Sequence, residues 1–150
     1  FPCATAIAVR TRTGAPVMTF GAQGIVDLSE GLSWKVNPRH YTNTSPPLVF
    51  RNLIILGNGV GDRLTYRNDP PGDVRAFDAR TGKILWEYPT NSGVIGQASS
   101  FTLNGRQYVA VQSGWGIDAR GMQNRLNAIR PGEFPEVPEG GAVWVFALGD

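Results

Sequence analysis

Three glycines and an acid crowd into Gly57-Asn58-Gly59-Val60-Gly61-Asp62. Backbone N–H groups left bare by glycine can converge on an anion, and an aspartate offers the hard oxygen that a divalent or trivalent cation takes. The same composition suits a plain turn at a strand end, since Gly, Asn and Asp all accept its backbone angles. Taken alone, the stretch leaves both readings open. Other residues able to do chemistry are sparse. One cysteine, Cys3, gives neither an internal disulfide nor a cysteine zinc site, and no C-x-x-C-H haem signature occurs. His40 stands alone near a proline-rich loop and reads as structural. Fourteen Lys and Arg against twelve Asp and Glu leave a net charge of +2, and the basic residues are scattered, which argues against a nucleic-acid partner.

Holding such residues in place falls to a β-rich scaffold. Gly 19 and Pro 11 make up a fifth of the 150 residues, with aromatics at 10 % and hydrophobics at 41 %. That is a turn-rich, helix-poor chain with enough apolar surface to fold. The longest apolar run, 142–148, has seven residues, far short of the roughly 20 that span a bilayer. Leu48-Val49-Phe50 and Leu53-Ile54-Ile55-Leu56 are expected strands, bounded by Pro46-Pro47 and by Gly57-Asn58-Gly59. Phe101-Thr102-Leu103 and 107–111 flank Asn104-Gly105, the pair that accepts the positive φ angles of a type I′ hairpin turn. Val143–Phe146 reads as a closing strand, and only 119–129 has a short helical pattern. Residues 117–139 read as a connection longer than most ordered loops. A start at Phe1, with neither Met nor leader pattern, is expected of a processed chain or a piece of a longer one.

A repeat runs through these strands. Residues 75–82 (Arg-Ala-Phe-Asp-Ala-Arg-Thr-Gly) echo 7–14 (Ile-Ala-Val-Arg-Thr-Arg-Thr-Gly) at an offset of 68, and Trp144-Val145-Phe146-Ala147 repeats the strand without the Thr-Gly turn. A strand followed by a tight turn and another extended segment, repeated with unequal loops, is the pattern of a propeller blade array.

Ala76-Phe77-Asp78-Ala79-Arg80-Thr81-Gly82-Lys83-Ile84-Leu85-Trp86 resembles the tryptophan-docking motif A-x-D-x-x-T-G-x-x-x-W of dehydrogenases dependent on pyrroloquinoline quinone (PQQ). Asp78 and Thr81 can bond within the turn, Gly82 takes the awkward backbone angle, and Trp86 offers a flat ring to lodge between blades. Segments 20–28, 40–47, 57–63 and 70–75 resemble an early propeller segment of quinoprotein glucose and alcohol dehydrogenases. Segments 92–96, 105–111, 113–116 and 140–148 resemble the carboxyl-terminal segment of the same family. The resemblance implies an all-β fold: part of a roughly eight-bladed propeller, two to three blades of four-stranded antiparallel sheet. Residues 1–150 would form one partial propeller domain, an early-blade segment over 7–90 running directly into a carboxyl-terminal segment over 91–150.

The site implied by the resemblance is a PQQ held over the propeller axis with Ca²⁺ or a lanthanide. Thr44 matches a hydroxyl that contacts PQQ. Gly59, Val60 and Gly61 match a tight backbone stretch near a PQQ carboxylate, and Trp115 could line the pocket, although packing between blades suits it as well. Asp62, eighteen residues after Thr44, matches the position of a metal-binding acid. The implied reaction passes hydride from an alcohol or sugar CH–OH to the quinone, in the periplasm, with cytochrome c or ubiquinone as onward acceptor. No segment here matches the family's catalytic Asp or its Asn metal ligand, so no catalytic residue is assigned and the isolated chain is expected to be inactive. The first repeat also departs from the motif, with Arg10 in place of Asp78 and Met18 in place of Trp86. Two other readings fit the composition: a cofactor-free propeller-like interaction protein, and a carbohydrate-binding module using Trp34 and Tyr41. An incomplete propeller should also self-associate through exposed blade faces.

Overall fold

The computed structural model describes residues 4–43, 45–59, 70–90, 92–94, 96–114, 119–133 and 141–149. Short β-prone runs between turns fold into three antiparallel units. A two-stranded unit joins β1 (Thr5–Ile7) to β2 (Ile25–Asp27). A four-stranded meander follows: β3 (Leu48–Phe50), β4 (Leu53–Gly57), β5 (Asp73–Asp78) and β6 (Ile84–Pro89). A three-stranded meander ends the chain: β7 (Ser99–Leu103), β8 (Arg106–Gly114) and β9 (Gly141–Ala147). The Asn-Gly hairpin forms as expected, with Asn104 at φ +50°, Gly105 at φ +77° and Leu103 opposite Arg106.

The sequence echo is a structural repeat. Gly14 and Gly82 sit at φ +68° and +71°, and each donates its N–H over 2.8 Å to the carbonyl four residues back, on Arg10 and Asp78. Thr13 Oγ1 accepts from Ala15 N at 3.3 Å, as Thr81 Oγ1 does from Lys83 N at 3.3 Å. The departure at Arg10 has a local cost. Asp78 Oδ1 accepts from Arg80 N, Thr81 N and Thr81 Oγ1 at 3.0, 2.7 and 2.8 Å, whereas an arginine can accept nothing.

The four-stranded sheet is covered on both faces because β5 alternates. Val74 and Ala76 join Ile55, Val109 and Val111 in the core shared with β7–β9. Phe77 joins Leu56, Leu28, Ala4 and Tyr41 in the core shared with the amino-terminal unit. Arg75 points to that second side and is 0 % exposed. Its guanidinium donates to the carbonyls of Leu28 (2.8 Å) and Glu30 (2.7 Å), lies 5.4 Å from the Phe77 ring centre and 3.6 Å from the Glu87 carboxylate. Trp86 lodges between the two meanders, as the docking motif requires. Its ring meets Phe146 edge-on at 4.9 Å, and Tyr88 meets Trp144 at 5.0 Å and Phe146 at 5.1 Å.

Two expectations need correction. The 117–139 connection contains a helix, α1 (Ala119–Ile129), so the weak helical pattern outweighs the loop reading. Leu126 is buried, while Ile129 at the end of the helix is exposed. Tyr41 is no sugar platform: it is 1 % exposed, inside the amino-terminal core, where no ligand ring can stack on it.

Candidate functional site

Four chain segments meet at one end of the stacked sheets. Gly59 N donates to Thr42 O at 2.9 Å, and Asn43 Nδ2 donates to Gly57 O at 2.8 Å. Val94 N donates to Asn58 O at 2.8 Å, and Gly114 N donates to Gly93 O at 2.8 Å. Strand ends explain the meeting. Gly57 closes β4 opposite Val74, Asp73 opens β5 opposite Pro89, and Gly114 closes β8 opposite Gly141.

Close approach at this rim depends on glycine. A Cβ on Gly57 would fall 2.4 Å from Val94 Cβ, and one on Gly72 would fall 1.7 Å from Ser92 O. Asn58 is 0 % exposed and ties the rim together. Its Nδ2 lies 2.7 Å from Pro71 O and 3.1 Å from Gly59 O, while its Oδ1 accepts from Asp73 N at 3.4 Å. Thr90 secures the next turn: its N–H donates to Gly72 O at 2.7 Å, and its hydroxyl lies 2.8 Å from Gly72 O and 2.6 Å from Ser92 O. These bonds join Gly57–Gly59 to Pro71–Asp73 and to Thr90 and Ser92.

Of the residues the sequence points to, Gly59 is described and buried in this rim. Thr44, Val60, Gly61, Asp62 and Trp115 lie outside the described residues, as does Cys3. Their immediate chain neighbours Asn43, Gly59 and Gly114 are the ones brought together. Among the described residues, no group of three or more His, Cys, Asp or Glu is placed to hold a metal ion. His40 sits in a 3-10 turn, Pro38–His40, its Nε2 lying 3.4 Å from Asn37 Nδ2.

A buried polar group behind the rim escapes sequence reasoning. Burial pushes the Tyr41 hydroxyl up to about 12, against the opposing pull of Arg75. Burial also raises the Asp73 carboxyl, with Glu87 adding to the shift and Arg75 countering it. Asp73 and Arg75 take alternate positions on one face of β5, and that alternation is the only signal in the sequence. Asp78, on the exposed turn, is lowered by the Thr81 hydroxyl and neighbouring N–H groups.

The missing side chains at Gly57 and Gly72 make room for Val94 and Ser92, and the N–H groups of Gly59, Val94 and Gly114 are bonded within the rim, so these residues set the geometry of the strand ends. The antiparallel meanders, stacked face to face, with a repeated Thr-Gly turn and an indole between them, define a segment of β-propeller. Residues 3–116 match the family described as "PQQ: Glucose/ethanol/alcohol dehydrogenase, beta-propeller domain", and the chain belongs to that family. It is 39 % identical over 85 residues to the quinoprotein alcohol dehydrogenase PedH of Pseudomonas putida, covering 57 % of this chain and 14 % of that protein. Over 102 residues it is 39 % identical to the 1-butanol dehydrogenase (quinone) of Thauera butanivorans, covering 68 % of this chain and 15 % of the relative. A solved europium-containing methanol dehydrogenase superposes with a TM-score of 0.51 at 29 % identity, covering 81 % of this chain and 22 % of the other. The chain thus spans about one seventh of the curated relatives it matches.

Proposed function

We propose that this chain forms part of the cofactor pocket of a PQQ- and metal-dependent dehydrogenase that oxidises the CH–OH group of alcohols or sugars. The observation that carries the reading is the hydrogen-bonded rim joining Thr42-Asn43, Gly57–Gly59, Gly93-Val94 and Gly114. It supports the pocket because Thr44, Val60, Gly61, Asp62 and Trp115 each continue from one of those segments. PQQ, when bound, supplies a quinone that accepts hydride. Thr44 would donate a hydroxyl to it, the Gly59–Gly61 main chain would face its carboxylates, Trp115 would cover it, and Asp62 would be a ligand to Ca²⁺ or a lanthanide. In the periplasm the onward acceptor would be cytochrome c or a quinone such as ubiquinone. The rim's own N–H groups bond within it and no carboxylate is assigned as proton acceptor, so binding would rest on the residues that continue from the rim, and turnover is not expected of this chain.

Titrating the chain with PQQ in the presence of Ca²⁺ or La³⁺, while following quinone absorbance and tryptophan fluorescence, tests the proposal. A saturable, metal-dependent change that weakens at least tenfold in Asp62→Ala is the expected result. A spectrum unmoved by PQQ with either metal, from a chain whose circular dichroism shows it folded, would overturn it.

A further inference from the structure

Asparagine followed by glycine occurs twice, at Asn58-Gly59 and Asn104-Gly105. As sequence the two pairs are chemically alike. Each sets a labile side-chain amide beside a main-chain nitrogen whose own residue has no Cβ to shield it. The fold separates them. Asn58 is 0 % exposed, its Nδ2 lies 2.7 Å from Pro71 O, its Oδ1 accepts from Asp73 N, and the Gly59 N–H is bonded to Thr42 O. For Asn58 Cγ to reach Gly59 N, these bonds would have to open together. Asn104 and Gly105 are both exposed at the tip of the β7–β8 hairpin. Among the described residues, neither the Asn104 side chain nor the Gly105 N–H makes a hydrogen bond, and a Cβ built on Gly105 meets nothing within 4 Å. The strands beneath are held without the tip. Thr102 Oγ1 donates to Gln107 Oε1 at 2.7 Å, Gln107 Nε2 donates to Ser100 Oγ at 2.6 Å, and Phe101 stacks on Tyr108 at 5.4 Å.

We propose that Asn104 is a site of spontaneous modification, converting to aspartate and isoaspartate in the folded chain while Asn58 is preserved. The Gly105 nitrogen, on losing its proton to hydroxide, attacks Asn104 Cγ. A bond forms between that nitrogen and Cγ, the bond from Cγ to Nδ2 breaks, and ammonia leaves with a proton taken from water. The product is a five-membered succinimide ring. Water then adds to one of its two carbonyls. Breaking the ring bond from nitrogen to Cγ gives aspartate; breaking the bond to the main-chain carbonyl carbon gives isoaspartate. One ammonia has left, the oxygen has come from water, and nothing is oxidised or reduced. Either product puts a carboxylate where an amide stood, two residues before Arg106. In isoaspartate the main chain runs through Cβ and Cγ and is one atom longer. The two-residue turn that sets Leu103 opposite Arg106 has no place for that atom, so the tip opens while the bonded strands below it persist.

Ageing the chain in mildly alkaline buffer tests the proposal, with both sites followed by peptide mass spectrometry and a fragmentation method that tells isoaspartate from aspartate. Asn104 should convert at least tenfold faster than Asn58 in the folded chain. In urea, where neither pair is held, the two rates should converge. Asn104→Gln would have to close a slower six-membered ring, so it should abolish conversion at the tip and leave the circular dichroism unchanged. Amide exchange at 103–106 should quicken in the aged chain while 109–112 keeps its protection. An Asn58 that converts as fast as Asn104 in the folded chain would overturn the inference. So would an Asn104 that stays an amide in buffer yet converts in urea. A tenfold difference that persists in urea would overturn it as well, because flanking residues rather than the fold would then set the rates.

Discussion

Asn58 shows how one side chain can set a loop. It is sealed from solvent, so its amide must find partners within the protein, and it finds them across fifteen residues of chain. Asn58→Ala leaves the carbonyl of Pro71 and the N–H of Asp73 without that partner. The expected loss is about 2–3 kcal/mol in urea unfolding, and a loss below about 0.5 would show that the rim holds without it. Tyr41 yields a prediction in pH. Its folded value of about 12 lies above the ordinary 10.0, so the folded state keeps its proton longer than the unfolded chain does. Stability from this group is therefore complete below pH 10 and is lost as pH rises from 10 towards 12. Tyr41→Phe should flatten that alkaline decline, measured as the urea midpoint at pH 9 and pH 11. Asn58 sits inside a motif legible as Gly-Asn-Gly, yet nothing in the sequence says that its amide faces inward. Tyr41 reads as a surface aromatic until the fold encloses it.

Turns and strands were the more legible scale, since their signals are local. The Asn104-Gly105 hairpin follows from residues that tolerate positive φ, and the Thr-Gly turn from Asp78, Thr81 and Gly82 acting within five residues. Their tertiary settings differ, and that difference is testable. A Cβ on Gly105 meets nothing within 4 Å, whereas one on Gly82 would reach 2.4 Å from Val26 Cγ2. Gly105→Ala should cost about 1 kcal/mol from the φ alone, and Gly82→Ala at least about 2, because strain and collision combine. Equal losses in chemical denaturation would count against the docking of this turn on the amino-terminal unit. Trp86 behaves as its motif implies. Trp86→Ala should weaken the near-ultraviolet circular dichroism of the four-ring cluster and destabilise by about 2 kcal/mol, less than for a ring wholly buried. The helix α1 was the least legible element, its apolar positions being few and its neighbours rich in glycine.

Among the described residues, two units are stacked on one central four-stranded sheet, and each face is held differently. The face towards β7–β9 is apolar and aromatic; the face towards the amino-terminal unit has Arg75 at its centre. Arg75→Met preserves much of the volume but leaves the carbonyls of Leu28 and Glu30 without their donor. Amide exchange should then quicken at 25–31 while β7–β9 keeps its protection. Uniform quickening throughout would mean that the units unfold as one.

The sequence by itself determined the strands, the hairpin turn, the repeated Thr-Gly corner and the resemblance that family membership bears out, because each rests on residues close together in the chain. Only the tertiary structure decided that Asn43, Asn58, Val94 and Gly114 share one rim and that Tyr41 and Arg75 are interior. Those outcomes depend on contacts between residues that are tens of positions apart, and on which face of each strand is covered, quantities that no local spacing encodes.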